Sequence, residues 1–535
     1  SDGRAAPRVD GASFVFVGGE KRAWSGKTTE VTSPIVDPAT GGRTVIGELA
    51  SMDAAAALTA VEAAAEAWDG GQGEWPQKSQ AARVAAVEAY LESIRERRAE
   101  IVDVLMWEIA KTASDAAKEF DRTVEFAQQV IAAIRAGEYV SDAGSAQEFA
   151  DVGGVRATVR RGPVGVALFL APYNYPLNEL YAMCVPALLM GNCVVLKLPA
   201  IGALAHILTV DALLKHFPKG VINFVTGSGR ATLPGIMGTG KVDALGFIGG
   251  SNGADALVKA HPHPHRLKVF SQLEGKNMGV VLADADLDAT VRELVAGALS
   301  YNGQRCTAIK LVVAHASIFD ALVDKLAVAV ERLPRGLPWD AVSITPLPEA
   351  SKPAWLVELL EDALEKGATV RNPSGGARAG ALFAPAVVAP VTPAMRLFHE
   401  EQFGPVVPVA AFDDLDEVVT AAKTSWSGQQ VALFTRRDAA AAATLVDRLA
   451  TIVGRANINT QCQRGPDVLP FSGRRSSAMG TMSVTDALRA FSVEVVVAGK
   501  PADAPLIDDL HTRATLLAPL DEPPGGCHKE EPPTS

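Results

Sequence analysis

Cysteine is scarce. Five occur in 535 residues, Cys184, Cys193, Cys306, Cys462 and Cys527, at irregular spacings. That pattern builds no disulfide framework and fits no zinc-ligand spacing; it suits a reducing compartment, so a cytoplasmic protein is expected. Long apolar runs are also missing. The most hydrophobic region, Val164 to Leu196, is broken by 171-APYNYPLNE-179, by Pro186 and by 191-GN-192, so nothing reaches the roughly 18 residues of a membrane span. Positive charge is in deficit, with a net charge of −11. This argues against nucleic acid or an anionic membrane as a partner, and it means that an anionic substrate needs a local basic pocket. No internal repeat is visible. The chain begins at Ser1 without Met, which is compatible with a removed leader of unspecified kind.

What is present is the balance of a globular protein, 48% hydrophobic and 21% charged, in a chain long enough for two or three cores. Residues 1–50 carry short strand-like pieces such as 13-SFVFVGG-19. From Met52 to Ala136 the apolar residues recur at three and four, the period of several amphipathic helices. The period changes at Gly153. The stretch 154-GVRATVRRG-162 alternates like a half-exposed strand. Buried-strand runs follow at 164–170, 193–198, 221–226 and 243–249, separated by helical segments. That βαβ rhythm predicts a parallel sheet with helices on both faces. A second α/β stretch runs from about Val280 to Phe471, then 491-FSVEVVVA-498 alternates again. The tail from Leu517, rich in Pro and charge, reads as disordered or draped.

Chemistry concentrates in four stretches. Cys306 lies in 301-YNGQRCTA-308 before the apolar strand 309-IKLVVAH-315. Arg305 and the backbone around Gly303 are expected to favour its thiolate, against the alternative of a buried structural thiol. In 171-APYNYP-176, Asn174 sits at the end of a buried strand, where sheet ligands bind and an amide N–H can stabilise an oxyanion. Lys197 ends the next strand, in 196-LKLPA-200. The fourth stretch, 400-EEQFGPV-406, sets a carboxylate and an aromatic before Gly-Pro.

These four stretches, in this order and spacing, resemble the aldehyde dehydrogenase superfamily over nearly the whole chain, about Asp37 to Lys500. The resemblance implies an α/β fold of three parts: a Rossmann-type cofactor domain, an α/β catalytic domain and a bridging β-ribbon for oligomerisation. The implied boundaries are 1–151 for the N-terminal part of the cofactor-binding domain, 152–163 for one oligomerisation strand and 164–279 for the remainder of that domain. The catalytic domain takes 280–480, the second oligomerisation strand 481–500 and the tail 501–535. It also implies roles. Cys306 attacks the aldehyde, and Asn174 with the Cys306 backbone N–H holds the oxyanion. Glu401 holds the nicotinamide ribose and Phe403 packs by the ring. Gly229 in 226-TGSGR-230 and Gly249 in 246-GFIGGS-251 match positions near the pyrophosphate; the GxG alone is a poor signal. Lys197 matches the lysine that reaches the adenosine ribose. Ala200 stands where NAD-preferring relatives often carry a glutamate, so NADP is expected, with NAD the alternative. Arg230 adds charge there or is a solvated surface arginine.

Within the superfamily the resemblance is to non-phosphorylating glyceraldehyde-3-phosphate dehydrogenases. Arg122, Tyr175, Arg305 and Arg464 match their phosphate-binding residues, and arginine forks suit phosphate oxygens. Taken singly, Arg122 reads as an ion-paired surface residue. The implied partner is a small phosphorylated aldehyde, and the implied assembly a homo-oligomer, dimer or tetramer. One departure stands in 271-SQLEGKNMG-279. Most relatives carry a glutamate four residues before the lysine, to activate the water that hydrolyses the thioester; here that position is Gln272. Losing a general base costs about 10²–10⁴ in rate. Glu274, two residues on, faces the same side of an extended segment and can serve instead, as can Glu401. The departure keeps two rivals open: a member that passes its acyl group to coenzyme A, and an inactive nucleotide-binding subunit.

Three other signals are set aside. The run 261-HPHPH-265 lacks further ligands for a metal and reads as a rigid exposed loop, so no metal site is expected. Cys462 reads as a small packing residue. The acidic 282-LADADLDAT-290 lacks the glycine and glutamate of a calcium loop and reads as an Asp-capped helix start.

Overall fold

The computed structural model describes residues 4–139 and 150–513. The expectation of a disordered tail from Leu517, and Cys527 with it, lies outside these residues. Four helices occupy Ala54–Trp68, Gln80–Arg95, Arg98–Ile109 and Ala113–Ala136, where the three-and-four periodicity placed them. The first is capped by the Asp53 side chain and the last by Thr112, each satisfying one of the N–H groups a helix start leaves free.

The strands Val166–Leu170, Cys193–Lys197, Ile222–Val225, Ala244–Ile248 and Lys268–Gln272 form a parallel sheet. Its order runs from Ile222–Val225 through Cys193–Lys197 and Val166–Leu170 to Ala244–Ile248 and Lys268–Gln272. The progression therefore reverses between Val166–Leu170 and Ala244–Ile248, and a crevice opens at such a reversal beyond the carboxyl ends of the strands. The first two strands are buried throughout. Each Val, Leu or Phe so buried contributes about 1.5–3 kcal/mol, which makes the strand ends a rigid platform. A short strand, Ala478–Met479, adds antiparallel to Ser271–Gln272 and brings the segment from Phe471 onward beside Gln272.

A second sheet of seven strands has Asn277–Val281 between Ile309–His315 and Gln430–Phe434, all three parallel. Apolar side chains cover both of its faces. The ribbon is antiparallel: Ser492–Gly499 pairs with Val155–Pro163 from Ser492 opposite Pro163 to Gly499 opposite Arg156. The Asp-capped helix is present too, with Asp286 accepting from the Ala289 N–H at 3.1 Å. One loop differs from its expectation. His261 of the His-Pro run is buried and its Nε2 meets the Val242 carbonyl at 3.0 Å, while His263 and His265 are exposed. His261 packs rather than joining a cluster with the others. No helix among the described residues is long and apolar enough to cross a membrane.

Candidate active site

A cavity of about 340 Å³ opens where the two sheets meet, within the usual size for a small-molecule site. Its wall brings together Asn174, Tyr175, Gly249, Gln272, Glu274, Cys306, Glu401 and Phe403, and also Glu179, Lys352 and Phe471, which the sequence reading did not single out. Arg122, Arg305, Arg464, Lys197, Ala200, Gly229 and Arg230 are not part of that wall.

Cys306 is presented by a strained turn. Tyr301 and Asn302 both have positive φ, 49° and 57°, costly for residues with a Cβ. The turn is held by Asn302, whose amide donates to Thr345 Oγ1 at 3.1 Å while its carbonyl accepts from the Thr345 N–H at 3.0 Å. Gly303 follows at φ 70°, and a Cβ there would lie 2.7 Å from the carbonyls of Ala298 and Gly404. The Cys306 carbonyl accepts from Asn277 Nδ2 and from Lys310 Nζ, both at 2.8 Å. Asn174, at the end of Val166–Leu170, donates one amide N–H to the Gln304 carbonyl at 2.8 Å. The second amide N–H remains for an oxyanion.

The expected thiolate is not what this environment favours. Burial pushes the Cys306 thiol up, and the Glu179 carboxylate pushes it further; Lys310 and Arg464 oppose them and do not win. The Arg305 guanidinium turns away from the thiol. It donates to the carbonyls of Ala296 and Gly297 at 3.3 and 2.9 Å and to Gln461 at 3.2 Å. These carbonyls belong to the last turn of helix Leu287–Leu299, the negative end of the helix dipole, where a cation is favoured.

The other two arginines form a chain of charges. Arg464, 8% exposed, pairs with Glu179 and reaches Asp467 at 3.4 Å; Arg122 donates to Asp467 at 2.7 and 3.3 Å. Two guanidinium groups thus alternate with two carboxylates. Tyr175 packs by Tyr301, with Lys111 Nζ 3.4 Å from its ring centroid, and the buried Lys111–Glu119 pair anchors the helix that follows through the Leu177 N–H at 3.1 Å.

Around the turn 272–276, every carboxylate has a partner. Glu274 Oε1 accepts from the Ser251 N–H and hydroxyl at 2.7 and 3.1 Å, at the N-terminus of helix Ser251–Ala260, where negative charge is stabilised. Glu401 Oε1 accepts from the Gly275 N–H at 3.1 Å and pairs with Lys310 at 2.9 Å. Gln272 donates weakly to the Phe471 carbonyl at 3.5 Å. Gln272 Oε1 and Glu274 Oε2 are buried with no hydrogen-bond partner among the described residues. Phe403 adopts φ 43°, a strained conformation for an aromatic residue, of the kind that collects at binding sites.

Farther along the crevice, Lys197 is buried at its strand end and donates to the Leu198 carbonyl at 2.6 Å; burial pulls its ammonium down to about 8. An ammonium has three donors, so Lys197 retains capacity for a ligand. Ala200 is exposed, Gly229 opens helix Gly229–Gly238 behind Ser228, and Arg230 is exposed beside it. The Thr226 hydroxyl, at the end of the neighbouring strand, is buried and unpartnered among the described residues. A spare ammonium, a spare hydroxyl, a helix start and no carboxylate at Ala200 fit the ribose-phosphate end of a dinucleotide.

A family model described as "Aldehyde dehydrogenase family" matches residues 24–497. An NADP-dependent glyceraldehyde-3-phosphate dehydrogenase of Pisum sativum is 35% identical over 416 residues, 76% of this chain and 81% of that protein. A 3,6-anhydro-alpha-L-galactose dehydrogenase of Streptomyces coelicolor is 30% identical over 492 residues, 88% and 92% of the two chains. Among solved structures, NADP-dependent glyceraldehyde-3-phosphate dehydrogenase from Bacillus halodurans, complexed with NADP, superposes with a TM-score of 0.83 at 32% identity, covering 91% of this chain and 99% of that one.

Proposed function

The chain belongs to the aldehyde dehydrogenase family, and from that premise we propose that it oxidises D-glyceraldehyde 3-phosphate to 3-phosphoglycerate with NADP and without inorganic phosphate. The observation that carries this reading is the cavity itself, with Cys306 and Asn174 on one wall and the Arg464–Arg122 network joined to it through Glu179. The thiolate of Cys306 attacks the aldehyde carbon, and the resulting oxyanion takes the Asn174 N–H. Bound NADP supplies the electron acceptor that makes the adduct a thioester. Lys197 and Arg230 would hold its adenosine ribose-phosphate end, Gly229 and Gly249 would lie near the pyrophosphate, and Glu401 and Phe403 would hold the nicotinamide ribose and ring. Water then releases the acid, oriented by Gln272 and Glu274, whose unpartnered oxygens offer it hydrogen-bond acceptors. Arg464 and Arg122, with Tyr175 beside them, bind the substrate phosphate. Arg305 supports this site through its charge near Tyr175 rather than by contact.

The ribbon presents Val155, Val159, Val493, Val495 and Val496 to solvent. Exposed apolar residues on an antiparallel strand pair suit docking against a second copy, which supports a homo-oligomer.

The reading is tested by following NADPH with glyceraldehyde 3-phosphate in buffer free of phosphate and coenzyme A. Sustained turnover is expected. A burst of one equivalent followed by a stall that coenzyme A relieves would instead support acyl transfer to a thiol, the reading that the missing carboxylate at Gln272 favours. Absence of NADPH would overturn the substrate assignment.

A further inference from the structure

Three carboxylates reach the cavity that holds Cys306, and they differ in what holds them. Glu401 is paired with Lys310, itself 1% exposed, and with the Gly275 N–H. Glu274 has one oxygen fixed on a helix N-terminus. Both anchors belong to the body of the fold. Glu179 has a different kind of anchor. It lies in the first turn of helix Pro176–Leu189, five residues after Asn174, and its carboxylate is bound by Arg464. Arg464 is a residue that the proposed reading assigns to the substrate.

The charge inventory decides what an incoming anion does. Glu179, Arg464, Asp467 and Arg122 sum to zero, so the arginines are already neutralised. A phosphate brings about −1.5 to −2 charges and three acceptor oxygens. To take the Arg464 Nη1 that Glu179 holds, it must displace that carboxylate. Asp467 is the harder one to displace, since it is 9% exposed and bonded to both arginines; Glu179 is 17% exposed and bonded to one. Glu179 is also the carboxylate on the cavity wall. Once released, it is no longer paired with a cation, and among the carboxylates it is the one whose charge acts most on the Cys306 sulfur.

We infer that Glu179 is the base of the deacylation step, held in reserve by Arg464 until an anionic substrate takes the arginine. This rests on the reading that the substrate is a phosphorylated aldehyde. With the thioester formed on Cys306, a water oxygen bonds to the acyl carbon while one of its protons passes to Glu179. The tetrahedral adduct collapses with cleavage of the C–S bond. The electron pair goes to the Cys306 sulfur, and the carboxylic acid leaves, losing its proton to solvent. Glu179 then returns its proton to the thiolate or to solvent. Gln272 and Glu274 orient the water, and the amide at Gln272 is no defect, because the proton acceptor is a different residue.

The test compares wild type, Glu179→Gln, Glu179→Asp and Glu274→Gln by rapid mixing with NADP and either glyceraldehyde 3-phosphate or D-glyceraldehyde. Glu179→Gln should give a full NADPH burst with the phosphorylated aldehyde, then turnover lower by about 10²–10⁴. Hydroxylamine, which attacks a thioester without a base, should restore its turnover. Glu179→Asp should retain part of the activity, and Glu274→Gln, which keeps an acceptor oxygen for the water, should lose less turnover than Glu179→Gln. Wild type given D-glyceraldehyde should also burst and slow, and added inorganic phosphate should accelerate it by occupying Arg464. Wild-type turnover in Glu179→Gln, or a stall confined to Glu274→Gln, would overturn the assignment. Failure of the substrate reading has a different signature, the absence of any wild-type burst with glyceraldehyde 3-phosphate, and it removes the premise of the inference with it.

Discussion

The two walls of the cavity are built on opposite plans. The wall of Cys306 and Asn174 is closed: Asn302, Asn277, Lys310 and the Asn174 amide fix each turn of the backbone around the nucleophile. The wall of Gln272 and Glu274 leaves two buried oxygens unpaired, and the neighbouring arginines are satisfied only by carboxylates that a ligand can replace. A saturated wall holds one geometry through the reaction. An unsaturated wall holds places for groups that arrive with the substrate.

The contrast is broken most directly on the closed wall. Cys306→Ala should lower kcat/KM by on the order of 10⁴ or more, as loss of a nucleophile does, while leaving NADP binding by fluorescence titration unchanged. Asn174→Ala should lower kcat by about 10²–10³, the effect of losing one oxyanion donor, with KM little altered. Behind the cavity wall, in the arginine network, the expected effects are smaller and fall on binding. Arg464→Ala should raise KM for the phosphorylated aldehyde by about 10- to 100-fold, from a charged hydrogen bond of about 1.5–3 kcal/mol, without raising KM for small neutral aldehydes. Equal losses for both substrates would remove the phosphate assignment.

A pH series sharpens the same comparison. The thiolate is the reactive form, and burial with Glu179 nearby raises the Cys306 thiol above its usual value. Below that raised value the thiolate fraction grows about tenfold per pH unit. The burst rate should therefore climb across about pH 6.5 to 8.5 instead of levelling off, with the fold intact by circular dichroism. The smallest effect is expected from Gln272→Glu, within about tenfold in kcat. A gain of about 10²–10⁴, the worth of a general base, would show that the open wall lacks a base rather than holding one elsewhere.

Much of the closed wall was legible in the sequence. The strand Ile309–His315 spans the predicted residues, because an unbroken apolar run bounded by turn residues has few other solutions. The strand expected from Val164 begins at Val166, since the N–H groups of Val164 and Gly165 go to the Asn192 side chain at 2.8 and 2.9 Å instead of to a ladder. The open wall was harder to read, because its partners are distant in sequence. Glu179 bonds a residue 285 positions away. Its signal was present, a lone carboxylate within the apolar helix Pro176–Leu189, and buried charges of that kind need a partner. Asp467, three residues after Arg464, carried the same message. Arg305 misled for the opposite reason: sequence proximity to Cys306 says nothing of a side chain that has helix carbonyls to bind on the other side.

The central claim is that the thiol of Cys306 carries the acyl group. It is tested by mixing the protein with glyceraldehyde 3-phosphate and NADP, quenching in acid within the burst, and mapping the adduct by peptide mass. A phosphoglyceroyl thioester on the Cys306 peptide, formed only when NADP is present and absent from Cys184, Cys193 and Cys462, is the predicted result. An unmodified Cys306 peptide after a full equivalent of NADPH, or the adduct on another cysteine, would contradict it.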